Sequence, residues 1–355
     1  MDKKLINKYY SGLKHNNYIE SNKFLSKILN KIPKNITNEI EYNIEKFSIN
    51  ELDQPKYITS DFISSKITDY ILEEIKYHYN IIVKYNKLTL NLNFYSGNRE
   101  IDMVYFGKII RHILLFYKMY KSSIDIMDIS IYDTPFKKSL ENTSKITTYN
   151  INSGYSIPYV KQIIIYRREE LLKVLIHELL HIFQFKIREE DSSCGMFCDL
   201  YSIKTEEFLV NESIVELYGI IYNSILLSLS MYNKINRSKI IEILNIELEF
   251  NLYQTAKILK FSRFDNIEEF LCNCTNKYIM EEKTNIVSYI IIKTLILFNI
   301  NKLDKYDVLE DRKLIEIIIA KYFKDKKYKN IINYYINDIT KNGMIDYNLR
   351  MSLFS

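Results

Sequence analysis

Residues 171–183 read Leu-Leu-Lys-Val-Leu-Ile-His-Glu-Leu-Leu-His-Ile-Phe, an apolar run broken by one lysine, one glutamate and two histidines. Apolar side chains on nearly every side predict a buried helix over 169–186. His177 and His181 are four residues apart and therefore lie one turn apart on the same helix face. Burying two imidazoles and the carboxylate of Glu178 without partners would be costly. A bound divalent cation would satisfy all three, so the run predicts a metal site.

The His-Glu-x-x-His spacing gives each polar residue of this helix a different task. The imidazoles of His177 and His181 can bind the same metal, and Glu178, rotated by about 100° from His177, can hold the metal-bound water. The chain has only five histidines, so two of them in one such motif are rarely there by chance. The alternative is a pair of core histidines hydrogen-bonded to the backbone and to Glu178.

The third metal ligand has to come from elsewhere in the chain. The longer pattern His-Glu-x-x-His-x-x-Gly-x-x-His is absent, because Gln184 and Ile187 occupy its last two defining positions and no histidine follows His181. A carboxylate from a following helix is the remaining common solution. The apolar-rich segment 205–231 predicts that helix.

Two glutamates on this second helix are candidates for the site. Glu212 and Glu216 stand one turn apart on the same side of an otherwise apolar helix, where buried acids need a cation or a donor. We predict Glu212 as the third ligand and Glu216 as the acceptor of the second N–H of a ligating histidine. The alternatives are a solvated acidic face, or Glu206 or Glu207 as the ligand.

Upstream of the motif, the hydrophobic period changes several times between two and about 3.6 residues. The alternating or β-branched segments 87–94, 123–133 and 162–166 predict strands, and 102–121 predicts a helix. A further short strand at a sheet edge is predicted within 146–156. The fold class is therefore α+β and predominantly helical, with a small mixed sheet beside the motif helix.

The same patterns divide the chain into three parts. Residues 1–85 are predicted to be an N-terminal helical region, since Ile71, Ile75, His78 and Ile82 recur at three- and four-residue spacing. Residues 86–190 would form the subdomain with the sheet and the motif helix, and 191–355 a helical subdomain that carries the third ligand.

Composition excludes several other classes of protein. The net charge is +5 without a basic stripe, so no nucleic-acid partner is expected. The longest apolar stretch, 286–300, contains Lys293 and is shorter than the roughly 20 residues of a membrane span, so it predicts a buried core helix. No apolar segment follows Met1-Asp2-Lys3-Lys4, so a secretory signal is not expected and the predicted location is intracellular and cytoplasmic.

The four cysteines come in two pairs, Cys194 with Cys198 and Cys272 with Cys274. In an intracellular protein they are expected to be free thiols. A second, structural zinc site is the alternative, although this spacing is not that of the common zinc modules.

The motif helix together with Glu212-Ser213-Ile214-Val215-Glu216 resembles the gluzincin clan of zinc metallopeptidases, in which His-Glu-x-x-His is followed by a second helix with Glu-x-x-x-Asp/Glu/Ala. The predicted element order over 87–231 is similar to the zincin N-terminal subdomain. The resemblance implies one Zn²⁺ held by His177, His181 and Glu212, with Glu178 as general base and a protein or peptide as substrate.

Three stretches, Ile131–Lys138, Ile151–Tyr155 and Tyr166–Glu170, also resemble metallopeptidases of large DNA viruses. Together with the abundance of residues that share A/T-rich codons, this likeness implies a viral source. The protein would then act in the host cytoplasm or in the virion.

The clan resemblance implies a further donor that stabilises the oxyanion, and without a histidine after His181 a tyrosine such as Tyr201, Tyr218 or Tyr222 is expected. The predicted edge strand could pair with an extended substrate backbone. Two other classes of function stay open. One is a catalytically inactive zincin-fold binding module, and the other is a helical intracellular interaction protein with a chance motif.

Overall fold

The computed structural model describes residues 3–13, 16–52, 60, 62–121, 123–183, 200–205, 208–271, 278–304 and 312–354. They belong to two compact units, each assembled from separate chain segments. The sheet unit comprises 30–185 and 222–236, and the helical unit comprises 1–29, 186–221 and 237–354. Helices and a mixed sheet make the fold α+β, as predicted. The three-part division at residues 85 and 190 stays a prediction.

The sheet unit is built on a mixed sheet with the strand order β1-β2-β3-β4-β6-β5. Its strands are β1 (Asn43–Glu51), β2 (Tyr77–Tyr85), β3 (Leu88–Ser96), β4 (Ile126–Tyr132), β5 (Gly154–Ile157) and β6 (Gln162–Ile165). β1, β2 and β3 are antiparallel neighbours, β3, β4 and β6 run parallel, and β5 is antiparallel to β6. The strands predicted over 87–94, 123–133 and 162–166 are confirmed, and β5 lies at the sheet edge as expected.

Helices cover both faces of this sheet. They are α3 (Ser65–Glu74), α4 (Met103–Tyr120), the short α5 (Thr148–Ile151) and α6 (Leu171–Ile182). α4 begins after Asp102, whose carboxylate accepts hydrogen bonds from two backbone amides of the first turn. Phe94 of β3 packs edge-on against Phe106 of α4, while Tyr95 and Tyr132 face the other side and form a core with α3. The alternation of side chains along each strand therefore supplies two separate cores.

The N-terminal region is not helical throughout, so that part of the prediction was wrong. Besides α1 (Lys3–Gly12) and α2 (Lys23–Lys31), this region contains α3, β1 and β2. The helix expected through Ile71, Ile75, His78 and Ile82 ends at Glu74, and the last two residues lie in β2. The overlooked signal was the period of two in Tyr79, Ile81 and Val83, which are buried along β2.

The helical unit contains the first part of α7 (Asn211–Tyr232), followed by α8 (Arg237–Phe261), α9 (Ile267–Phe270), α10 (Lys293–Phe298), α11 (Arg312–Tyr322) and α12 (Lys326–Asn342). The π-helical turn Val287–Ile292 leads into α10. The short strands β7 (Ile203–Lys204) and β8 (Met280–Glu281) pair in parallel. The predicted helical character of this region is confirmed, and α10 is buried as a core helix.

One helix among the described residues, Asn211–Tyr232, is long and apolar enough to cross a membrane by length and composition. Of its most apolar window, 83% is buried inside the protein. That degree of burial is typical of a core helix, because a membrane span presents its apolar side chains to lipid.

At Gly154, β5 lies too close to its neighbours to leave room for a side chain. A Cβ there would lie 2.8 Å from the Ile164 carbonyl oxygen and 3.3 Å from a methyl carbon of Val174 on α6. We expect Gly154→Ala to lower the free energy of unfolding by roughly 1–3 kcal/mol, because backbone and core have to move apart. Urea unfolding measures the change.

The matched control is Gly107→Ala in the second turn of α4, where a Cβ meets no atom within 4 Å. This substitution should stabilise the protein by about 0.5–1 kcal/mol, since alanine restricts the unfolded chain and favours helix. Equal stabilities of the two variants would contradict the tight packing of β5 on α6.

Candidate metal centre

Helix α6 places the His-Glu-x-x-His motif inside the sheet unit. It follows β6 directly and packs on β5 and β6, with α4 beside it. His177 is 7% exposed and Glu178 6%, whereas His181, one turn further on, is partly exposed. The motif is therefore more deeply buried at His177 than at His181.

The two imidazoles of the motif are aimed at one point. The Nε2 atoms of His177 and His181 are 3.2 Å apart, and the ring planes are inclined by 67°. Two nitrogens bound to a tetrahedral zinc at about 2.0–2.1 Å would lie roughly 3.3 Å from each other. The separation therefore matches that of two ligands of one metal ion, and without a metal it also permits a hydrogen bond between the rings.

Glu212, on the first turn of α7, is also buried, with 8% of its surface exposed. His177, His181 and Glu212 each offer one ligand atom, and these atoms lie within 4.8 Å of one another. Two imidazole nitrogens and one carboxylate oxygen form a donor set that suits zinc and leaves a coordination position open. These three residues could therefore hold a metal ion.

Glu216 lies one turn after Glu212 and is 2% exposed. Its carboxylate oxygen Oε2 is 3.7 Å from the Nζ atom of Lys293, which is fully buried. The predicted hydrogen bond from a ligating histidine to Glu216 stays a prediction. Sequence reasoning missed Lys293 as a partner, although a lone lysine in a buried apolar run is itself a signal that an acid lies nearby.

Glu178, the predicted general base, lies close to Tyr166 at the end of β6. Burial raises the pKa of Tyr166, the neighbouring Arg167 lowers it, and the charge of Glu178 raises it further. The Tyr166 hydroxyl donates a hydrogen bond of 2.7 Å to the Phe62 carbonyl. Tyr166 is therefore a neutral neighbour of Glu178 at physiological pH.

The loop between β6 and α6 is held by the two other stretches that were noted in the sequence. The Thr134 hydroxyl donates a hydrogen bond of 2.5 Å to the Tyr166 carbonyl, and the Lys138 backbone amide donates one of 2.6 Å to the Glu169 carboxylate. Arg167 donates a hydrogen bond of 2.8 Å from Nε to the Asn152 carbonyl. Arg168 and Asp133 form an ion pair. Stretches from three parts of the chain thus meet at the beginning of α6.

A buried ion pair completes this arrangement. The Nζ atom of Lys138 lies 3.0 Å from a carboxylate oxygen of Glu170, and both side chains are almost completely buried. Glu170 has a left-handed backbone conformation with a φ of 59° and directly precedes the first residue of α6. The pair therefore fixes the point at which the motif helix starts, because a buried charge keeps its partner close.

The other residues singled out in the sequence are the candidate oxyanion tyrosines, two alternative glutamate ligands and the cysteines. Tyr201, Tyr218 and Tyr222 are all buried in the protein, and burial raises the pKa of Tyr201 and of Tyr222. The alternative ligands Glu206 and Glu207 lie outside the described residues. So do the four cysteines, Cys194, Cys198, Cys272 and Cys274.

Comparison with known proteins gives one distant similarity. No family model matches the chain, and no curated protein matches it. Among solved structures, it is similar to an aminopeptidase N family protein from Idiomarina loihiensis, with 10% sequence identity and a TM-score of 0.34. The match covers 86% of this chain and 53% of that protein, so this chain spans about half of its length.

His112 of α4 is a buried histidine that contacts the backbone of α6, and its titration makes the stability of the protein depend on pH. Burial lowers the pKa of His112 to about 4, and a hydrogen bond with the backbone of Leu172 on α6 partly opposes this shift. Because the folded-state pKa lies below the ordinary value of 6.5, the unfolded chain takes up this proton first. The contribution of His112 to stability is therefore lost as the pH falls from 6.5 towards 4.

Between pH 6.5 and 4, we expect the free energy of unfolding of His112→Gln to fall by roughly 1–3 kcal/mol less than that of the wild type. The measurement is the free energy of unfolding of metal-free wild type and variant at several pH values between these limits. An equally steep pH dependence in both proteins would contradict the assignment.

Proposed function

We propose that the protein is a zinc-dependent peptidase, in which His177, His181 and Glu212 bind zinc and Glu178 acts as the general base. The observation that carries the proposal is the pair of Nε2 atoms 3.2 Å apart on a buried helix, with Glu178 adjacent in sequence. The grouping of Glu212 with these imidazoles supports it, because the three donors suit zinc. The gluzincin motif is in keeping with the same chemistry.

The reaction would be hydrolysis of a peptide bond by water. Bound zinc would lower the pKa of a water molecule towards neutrality and polarise the scissile carbonyl group. Glu178 would take a proton from the attacking water while the water oxygen forms a bond to the carbonyl carbon. Glu178 would then deliver that proton to the amine nitrogen as the carbon–nitrogen bond breaks. The position of Glu178 next to a ligand on the same helix supports both steps.

The substrate is proposed to be an extended peptide that pairs with β5. In the described part of the chain, β5 pairs only with β6, so its other edge offers backbone donors and acceptors. β5 packs closely on α6 through Gly154 and Val174, which brings the strand beside the motif helix. Backbone pairing of this kind binds peptides with limited dependence on side chains. A cytoplasmic location and a viral source remain predictions that accompany this function.

Metal content tests the ligands. The wild type should contain about one equivalent of zinc, and His177→Ala and Glu212→Ala should each lose most of it, since three protein ligands are the usual minimum. Glu207→Ala is the matched control and should keep its zinc. Measurement is by elemental analysis after gel filtration. Retention of zinc in Glu212→Ala with loss in Glu207→Ala would move the third ligand to Glu207, and no zinc in the wild type would disprove the proposed function.

Glu178→Gln separates the enzyme from an inactive binding module. The variant should keep both zinc and fold but lower the rate of peptide cleavage by roughly 10²–10⁴-fold, because the amide cannot accept the proton. Cleavage of a mixed peptide library is followed by mass spectrometry. Glu141→Gln, at an exposed position, is the control and should behave as wild type. Zinc-loaded wild type that cleaves no peptide would favour the inactive binding module.

A further inference from the structure

Residues 348–354, the C-terminal segment, lie largely in the interior of the helical unit and form no helix. Met351, Leu353 and Phe354 are largely buried, and Ser352 is completely so. The segment is not a strand of either sheet in the described part of the chain, and polar side chains of the helices bind several of its backbone groups. Polar side chains in the interior of a protein need hydrogen-bond partners, and here the backbone of the C-terminal segment supplies them.

α8 supplies three of these side chains on one face. Lys257 donates a hydrogen bond of 2.8 Å to the Asn348 carbonyl, and Gln254 one of 2.9 Å to the Arg350 carbonyl. Glu247 lies two to three turns earlier on the same helix. Its carboxylate accepts hydrogen bonds from the Ser352 hydroxyl at 2.5 Å and from the amides of Leu353 and Phe354 at 3.0 Å each. The segment is therefore attached along its length.

Lys293 of α10 is the fourth of these side chains, and it has two partners. Its Nζ atom donates a hydrogen bond of 2.9 Å to the Met351 carbonyl and lies 3.7 Å from Glu216 Oε2. The positive charge of Lys293 also reaches Glu247, whose pKa is raised by burial and lowered by its hydrogen bonds and by Lys293. Lys293 is thus the point at which the C-terminal segment meets α7.

We propose that Lys293 is a positioning residue for the metal centre, holding Glu216 and with it the first turns of α7, while the Met351 carbonyl holds Lys293 in place. This inference rests on the proposed function, since it takes Glu212 as a zinc ligand. Glu212 and Glu216 are one helical turn apart, so a constraint on the second limits the movement of the first. A buried lysine that loses its acid, or an acid that loses its lysine, forces the surrounding structure to shift.

Charge and position have opposite effects on zinc affinity, which makes the inference testable. By Coulomb's law alone, removal of a positive charge near the site would tighten the binding of a cation. Loss of a positioning contact would weaken it, as loss of outer contacts to metal ligands does by roughly 10–100-fold. Whether zinc affinity rises or falls when Lys293 is replaced therefore shows whether its charge or its positioning contact matters more.

The experiment measures the zinc dissociation constant of the full-length protein by competition with a chromophoric chelator. Lys293→Met should weaken zinc binding roughly 10–100-fold, and Lys293→Arg should recover at least part of the affinity. Lys302→Met is the matched control, because Lys302 pairs with Asp325 near the surface and should leave affinity unchanged. The double variant Glu216→Gln/Lys293→Met should bind zinc no more weakly than Lys293→Met, since the two residues would act as one unit.

A second variant tests the C-terminal segment without changing any side-chain charge. A chain that ends at Arg350 lacks the Met351 carbonyl, and it should also bind zinc more weakly. Circular dichroism and urea unfolding of the metal-free proteins establish that each variant is folded. Should Lys293→Met not fold, the truncated chain and Lys293→Arg carry the test.

The outcomes separate this inference from the proposed function. Absence of zinc binding in the wild type would disprove the proposed function and this inference with it. A wild type that binds zinc, beside a folded Lys293→Met or truncated chain that binds it equally well or more tightly, would overturn the positioning role alone.

Discussion

The structure depends on the burial of an imidazole and a carboxylate, those of His177 and Glu178, on a helix that is otherwise apolar. The apolar residues of α6 have to leave water, and in doing so they carry His177 and Glu178 into the interior. Polar groups in such surroundings need partners, and a divalent cation is a partner that imidazole and carboxylate groups can share. The separation of 3.2 Å between the Nε2 atoms of the two histidines fits that solution.

Much of the sheet unit can be understood as the support of this helix. Three contacts connect distant stretches at the point where α6 begins: Thr134 with Tyr166, Lys138 with Glu170, and Arg167 with Asn152. A metal site tolerates little displacement of its ligands, so a helix that carries two of them benefits from a fixed origin. The contact of Arg167 with the Asn152 carbonyl also joins the start of α6 to the chain just before β5, the strand with which an extended substrate would pair under the proposed function.

The helical unit also buries charged side chains, and it provides their partners within the protein. It buries Glu247, Lys257 and Lys293, and each of these side chains forms a hydrogen bond with the backbone of the C-terminal segment. Buried charges of this kind contribute little net stability compared with apolar residues of the same size. They do specify a single arrangement, because each side chain accepts only one set of partners. A unit rich in Ile and Leu gains a defined structure in this way.

The sequence by itself determined the elements with a clear period and the identity of the motif residues. The strands near 87–94 and 123–133 and the helix around His177 follow from local patterns that need no distant partner. It misplaced residues 77–82, which belong to β2. His78 and Ile82 fit a helical spacing, but the buried side chains of this strand follow a period of two. Only the tertiary structure decided that Lys293 meets both Glu216 and the Met351 carbonyl, 58 positions later in the chain. The physical reason is that burial shows a charged side chain must have a partner, while the folded chain alone selects which one.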